Sequence, residues 1–263
     1  MGPDGDQWLL PLKRASREPA VTLICLPYAG GNPALFRSWA DALDDNVGLV
    51  AVRLPGRGSR INEPSCADWA TLLTRTSTAL ASLLRAPHAF FGHSFGGRLA
   101  YELAHLAAAE HPGRTSRLFV SACRSPNQPR RPYLHQLPDA EFRAALRDMG
   151  GMPEDLLASE PLMRMLMPAV RNDLRLAELW DDRAVAPLDV PLTVLYGRDD
   201  PIDPLTTMRD WPAFGGRGCE LVELPGRHFF LESHRGLVLD VINQRLGTSG
   251  ATAGGRPRGA GHP

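Results

Sequence analysis

Short apolar runs alternate with helical patterns along this chain, and few architectures accommodate that order. VTLICL (residues 21–26), GLVAVRL (48–54), HAFFG (88–92), RLFVSA (117–122), PLTVLYG (191–197) and CELVEL (219–224) read as strands. They are mostly continuous in apolar character rather than alternating, the mark of strands covered on both faces. Helical stretches such as ADWATLLTRTSTALASLLR lie between many of them. The order implies an α/β fold, a mostly parallel central sheet flanked by helices. A length of 263 residues suffices for one such domain with a substantial core.

One section breaks the alternation. Over about residues 126–187 no good strand appears; instead come DAEFRAALRDMGGMPEDLL and SEPLMRMLMPAVRNDLRLAELW, helical by period. Leu162, Leu166, Val170 and Leu174 recur every four residues, and Met149, Met152, Met163, Met165 and Met167 crowd the same region. Two readings stay open. The section is an amphipathic hairpin packed on the core, or a helical lid whose methionines line an adaptable apolar pocket. Residues 1–19 read as an N-terminal extension and 20–246 as the domain. The Gly/Pro/Ala-rich segment 247–263 has little to bury and reads as a disordered tail.

Charge and cysteine usage narrow the setting. The 29 Lys+Arg balance 29 Asp+Glu, so no global basic field favours nucleic acid or an anionic membrane. Cys25, Cys66, Cys123 and Cys219 form no CxxC or Cys/His cluster and read as small buried hydrophobes in a reducing compartment. The opening MGPDGDQWLLPLKR has neither a basic n-region nor an apolar h-region. No apolar run reaches the roughly 20 residues of a membrane span. The expectation is a cytoplasmic monomer.

Chemistry concentrates at FFGHSFGGRLAYELA, residues 90–104, where a strand candidate stops at Ser94 and a helix candidate begins. GHSFG fits G-x-S-x-G, a serine on a tight strand-to-helix turn. Such a turn is crowded, so Gly92 and Gly96 supply positions without a Cβ. Gly96, Ala100, Ala104 and Ala107 give the helix a small face that can lie close on the sheet. The turn then projects Ser94 at a helix N-terminus, where anions are favoured. A bare G-x-S-x-G is weak, but the strand before and the helix after are the context it requires.

A serine nucleophile needs a base, and the base an orienting acid. LTVLYGRDDPID places Asp199 and Asp200 directly after a strand, and ELPGRHFFLESH places His228 in a loop after the last strand. Carboxyl ends of parallel strands are where functional groups gather. A post-strand Asp alone is usually a turn former and a loop His usually solvated, but Ser, Asp, His in that order is more constrained. An acid three residues after Gly197, the glycine that ends the strand, is Asp200 rather than Asp199. His93 adjoins the serine, its side chain diverges, and it is expected packed beneath the turn. His234 is expected on the surface of the final helix. The oxyanion donors are expected to be the amide of Phe95 and one from LPYAGGNPALF, with Ala29 favoured and Tyr28 the alternative. Asn32 and Pro33 read as N-cap and first-turn proline of the next helix.

With these residues in place, the chain resembles the type II thioesterases that accompany modular polyketide and nonribosomal peptide synthases. The resemblance covers about residues 20–245 and rests on LPYAGG, LPGRGSR, FFGHSFGG, MGGMPEDLL, PAVRNDLRLAE, GRDDP and GRHFFL. It implies an α/β-hydrolase fold with a helical lid, and hydrolysis of acyl groups from the phosphopantetheine arm of acyl or peptidyl carrier domains. It places the triad on Ser94, Asp200 and His228 and the oxyanion donors on Ala29 and Phe95, with no metal or redox cofactor required. Arg124, Arg130 and Arg131 are candidate contacts for an acidic carrier, or simply a solvated loop. A carboxylesterase acting on free esters and a non-catalytic ligand-binding module are the alternatives.

Overall fold

The computed structural model describes residues 5–18, 20–129, 133–181 and 186–247. Its centre is a seven-stranded sheet: β1 (Leu9–Lys13), β2 (Val21–Leu26), β3 (Val47–Val52), β4 (His88–His93), β5 (Thr115–Ser121), β6 (Leu192–Gly197) and β7 (Cys219–Leu224). The spatial order is β1-β3-β2-β4-β5-β6-β7. All neighbours run parallel except β1, which pairs antiparallel with β3.

All the strands expected from apolar runs are present. β1 comes from the segment set aside as an extension, so the sheet reaches upstream of the boundary drawn at residue 20. Its run is short and contains Pro11, which pairs opposite Val50 just before a register slip. Proline has no N–H for the ladder and is tolerated at a sheet edge, where β1 lies. That interruption hides the strand in the sequence.

Successive residues on the central strands serve opposite faces. Ile24, Phe90, Val120 and Val194 join the core beneath α1 (Trp69–Leu84) and α2 (Phe95–Glu110). Leu23, Phe91, Phe119 and Leu195 join the other core, under Trp39 and α6 (Arg235–Gly247). Every residue of β3 and β4 is buried, as two-sided covering requires. The chain leaves β2 toward β3 on one side and returns through β4 on the other. The order therefore reverses between β2 and β4, and a crevice opens at their carboxyl ends.

Between β5 and β6 the chain forms α3 (Asp139–Met149), α4 (Glu154–Ala158) and α5 (Glu160–Leu179). Phe142, Leu146, Met163, Met167, Val170 and Leu174 give this section its own apolar cluster. The buried stripe of α5 follows the 3.6-residue period through 163, 167, 170 and 174, not the four-residue recurrence that begins at Leu162. Leu162 is 44% exposed and Met165 52%. Gly247 ends α6, and the tail beyond it lies outside the described residues. Among the described residues no helix is long and apolar enough to cross a membrane. Cys25, Cys66 and Cys123 are buried as expected, Cys219 partly so, and all four are free.

Candidate active site

Ser94 stands at the end of β4 with φ 55° and ψ −116°, a conformation that L-residues rarely adopt. Three backbones meet around it. A Cβ on Gly92 would lie 2.1 Å from the Gly96 carbonyl oxygen, and one on Gly96 would lie 2.2 Å from that of Leu26. The turn is pinned by the Ser94 N–H donating to Ser121 O at 2.8 Å and the Gly97 N–H donating to Ser94 O at 2.9 Å. Ala100, Ala104 and Ala107 are fully buried, so the small face of α2 lies close on the sheet.

Asp200 and His228 come from adjacent loops at the carboxyl ends of β6 and β7. The backbone fastens these loops together: Arg198 N–H donates to Leu224 O and Asp199 N–H to Gly226 O. His228 Nδ1–H donates to Asp200 Oδ2 at 2.8 Å, and both side chains are buried. Asp200 Oδ1 accepts from the amides of Ile202 and Asp203. Burial pushes the Asp200 carboxyl up, but the His228 hydrogen bond and charge and those two amides outweigh it, leaving the carboxyl below its usual range. Asp199, its neighbour, is exposed.

Only Nδ1 of the His228 ring engages Asp200. Its Nε2 has no hydrogen-bond partner among the described residues. Ser94 and His228 border the same cavity of about 300 Å³, together with Ala29, Met149, Met152 and Val170. The site therefore opens between the sheet and the lid section, and the pocket methionines are Met149 and Met152. Met163 and Met167 instead pack within the lid.

His93 is fully buried beneath the turn, its Nδ1 bonded to Ser121 Oγ at 2.8 Å and its ring 5.3 Å from that of His228. Burial, then the neighbouring His228, pushes the His93 imidazole well below its ordinary value. His234, partly exposed, bonds Ser233 Oγ at the junction before α6.

The loop after β2 supplies the facing wall. Asn32 caps a 3-10 turn, Pro33–Trp39, by accepting from Ala34 N–H at 2.9 Å. The Gly31 N–H donates to Tyr28 O, and the Gly30 N–H donates to Asp173 Oδ2, both at 2.8 Å. The amides of Tyr28 and Ala29 keep no partner among the described residues. The Tyr28 hydroxyl donates to Glu232 Oε1 at 2.7 Å and its ring packs edge-on against Phe229, clasping this loop to the His228 loop. Sequence reasoning assigned no role to Asp173 or to Arg57, its ion-pair partner, although both lie in quoted motifs. Arg124 is 5% exposed and donates to Pro129 O, so it is not a free surface cation; Arg130 and Arg131 lie outside the described residues.

A strained serine at the switch of a mostly parallel sheet, sharing a cavity with a buried imidazole–carboxylate pair, defines a hydrolase of the α/β-hydrolase fold. The chain belongs to the thioesterase domain family, whose model matches residues 21–246, and is a hydrolase of thioesters. It is 33% identical over 234 residues to the thioesterase PikA5 of Streptomyces venezuelae, covering 88% of this chain and 83% of that one. Identity is also 33% over 244 residues to the protein called linear gramicidin dehydrogenase LgrE of Brevibacillus parabrevis, covering 91% and 92%. Among solved structures, the type II thioesterase BorB from the borrelidin biosynthetic cluster superposes with a TM-score of 0.82 at 34% identity, covering 92% and 98%.

Proposed function

We propose that this thioesterase frees acyl groups from the phosphopantetheine arm of acyl or peptidyl carrier domains in a polyketide or nonribosomal peptide system, clearing stalled or mis-primed chains. The observation that carries the reading is one apolar cavity, bordered by both Ser94 and His228, with a lid section as its roof. A structural relative from a biosynthetic cluster supports a carrier-borne substrate. The enzyme works as a monomer in the cytoplasm.

Ser94, His228 and Asp200 are the triad. Ser94 Oγ attacks the thioester carbonyl while His228 Nε2 takes its proton, and Asp200 holds the ring through Nδ1–H and stabilises the imidazolium. The tetrahedral oxyanion is held by the amides of Ala29 and Phe95; Gly30 and Gly31 have spent theirs elsewhere. Collapse breaks the C–S bond, and the pantetheine sulfur leaves with the proton from His228. Water, deprotonated by the same nitrogen, then attacks the acyl-serine, and Ser94 recovers its proton as the acid departs.

The test compares one acyl group on a carrier domain and on N-acetylcysteamine. Carrier contacts remote from the carbonyl position the thioester, so kcat/KM is expected to be higher for the carrier substrate. Equal or better turnover of the small thioester rejects carrier recognition and favours a plain esterase.

A further inference from the structure

We infer that Asp173, held in place by Arg57, is a positioning residue that sets the Ala29 amide for the oxyanion and makes this setting depend on the lid helix being docked. The inference rests on the oxyanion assignment above and adds the device that orients it.

Three segments distant in sequence converge. Asp173 lies on α5, Arg57 on the loop after β3, and Gly30 on the loop after β2. Arg57 Nη1 stands 2.7 Å from Asp173 Oδ2, and Arg57 Nη2 donates to Asp173 Oδ1 at 3.0 Å. Both residues are 2% exposed. Arg57 is held in turn by its donation to Pro55 O at 3.3 Å. The same Oδ2 accepts the Gly30 N–H. One turn earlier on α5, Val170 fills the space where a side chain on Gly30 would stand: a Cβ there would lie 2.4 Å from Val170 Cγ2.

The geometry of the peptide turns these contacts into a setting. A peptide unit is planar, so the Tyr28 C=O and the Ala29 N–H point in opposite directions from one plane. The Gly31 N–H bond to Tyr28 O fixes one side of that turn. The next plane, containing the Gly30 N–H, is fixed by Asp173. With both planes held, Ala29, whose Cα joins them, is constrained from both sides. Without Asp173, Gly30, a glycine at φ +72°, can rotate its flanking planes at little cost.

The role differs from that of a stabilising ion pair. A buried pair replaced by apolar groups often leaves stability unchanged, so structure alone gives weak reason for these charges. A carboxylate can bind a guanidinium and a backbone amide through the same oxygen, and the amide bond is then charge-assisted. Lifting α5 would remove Asp173 and Val170 from Gly30 together. Hydrolytic competence then follows the docked lid.

Two charge-free double variants isolate the acceptor. Arg57→Met/Asp173→Asn keeps an oxygen for the Gly30 N–H, whereas Arg57→Met/Asp173→Leu removes it. Each is assayed with an acyl-N-acetylcysteamine and with an alkyl boronic acid, which mimics the tetrahedral species on the serine. Losing one oxyanion donor costs about 10²-fold in kcat, and that is the expected gap between the two variants. KM should move by less than about threefold, and boronate affinity should fall in step with kcat. Melting temperatures taken alongside separate this from unfolding, and Asp173→Ala in the wild-type background should follow the Leu variant. Equal kcat and equal boronate affinity in the two double variants overturn the inference, as does failure of either to fold while the other does. Ser94→Ala, run beside them, reports on the triad separately: turnover there overturns the nucleophile, not the positioning.

Discussion

The Gly96 carbonyl oxygen stands 2.1 Å from where a side chain on Gly92 would begin, so the serine turn closes only because neither residue carries one. The obstacle is backbone, which cannot swing aside as a side-chain tip would. A methyl group there must displace β4, α2 or both. Overpacking of this kind costs about 1–3 kcal/mol, and more where backbone must move. Gly92→Ala is expected to lower the melting temperature by several degrees or to prevent folding. Gly236 is the control, because a Cβ there meets nothing within 4 Å. Gly236→Ala should leave stability unchanged or raise it by about 0.5–1 kcal/mol. Thermal denaturation of both variants checks the pair.

Ser94→Ala removes the proposed nucleophile and leaves the turn its small residue. Loss of a single triad member costs about 10⁴- to 10⁶-fold in kcat. The variant should fold, fail to label with a fluorophosphonate, and accumulate no acyl-enzyme. Near-normal hydrolysis by the folded protein would move the nucleophile elsewhere.

Asp199 and Asp200 are neighbours with different environments, and the difference predicts their variants. Asp200 is buried on His228 with both oxygens engaged, while Asp199 is exposed and tied into the turn by its amide. Asp200→Asn disturbs the His228 tautomer, a change that costs about 10⁴-fold in kcat in a serine protease triad. Asp199→Asn should leave kcat within about tenfold. Steady-state kinetics on one small thioester decides the order, and the reverse order would reassign the acid.

Most of this architecture is legible in the sequence because its signals are local. A continuous apolar run marks each two-sided strand, and strand, glycine and helix meet at Ser94 within a few residues. Asp200 and His228 are legible by order and spacing because each directly follows a strand. β1 is not, since Pro11 breaks its pattern and only an edge position makes it tolerable. The stripe on α5 shows the cost of a period read too coarsely: a recurrence of four drifts off the 3.6-residue helix and turns Leu162 outward. The pairing of Arg57 with Asp173 spans 116 residues and joins a loop to a lid helix, and the Gly30 bond adds a second loop. No local pattern carries that contact; only the folded sheet brings its members together. Arg124 reads as surface cation because arginine usually is, and here the fold buries it.

His93 predicts how stability responds to acid. It is fully buried beneath the serine turn, and desolvation holds its pKa well below the ordinary imidazole value, with His228 nearby adding to the effect. In the unfolded chain the same side chain titrates near about 6.5. Between that value and the depressed native one, the unfolded state carries a proton that the native state does not. Stability is therefore present in full above about pH 6.5 and is lost as pH falls, by up to about 1.4 kcal/mol per pH unit from this group. Asp200, also depressed, acts with the same sign but only below the ordinary carboxylate range, so the two windows separate. His88 is lowered as well, chiefly by burial, and contributes equally to both proteins in a comparison that changes only His93. His93→Asn keeps a polar group for Ser121 Oγ and cannot take up a proton. Urea midpoints measured at pH 7.5, 6.5, 5.5 and 5.0 should fall more steeply for the wild-type protein than for the variant. The gap between the two should widen steadily as pH falls below about 6.5. Parallel profiles would mean that His93 protonates in the native state, and that burial does not hold it neutral.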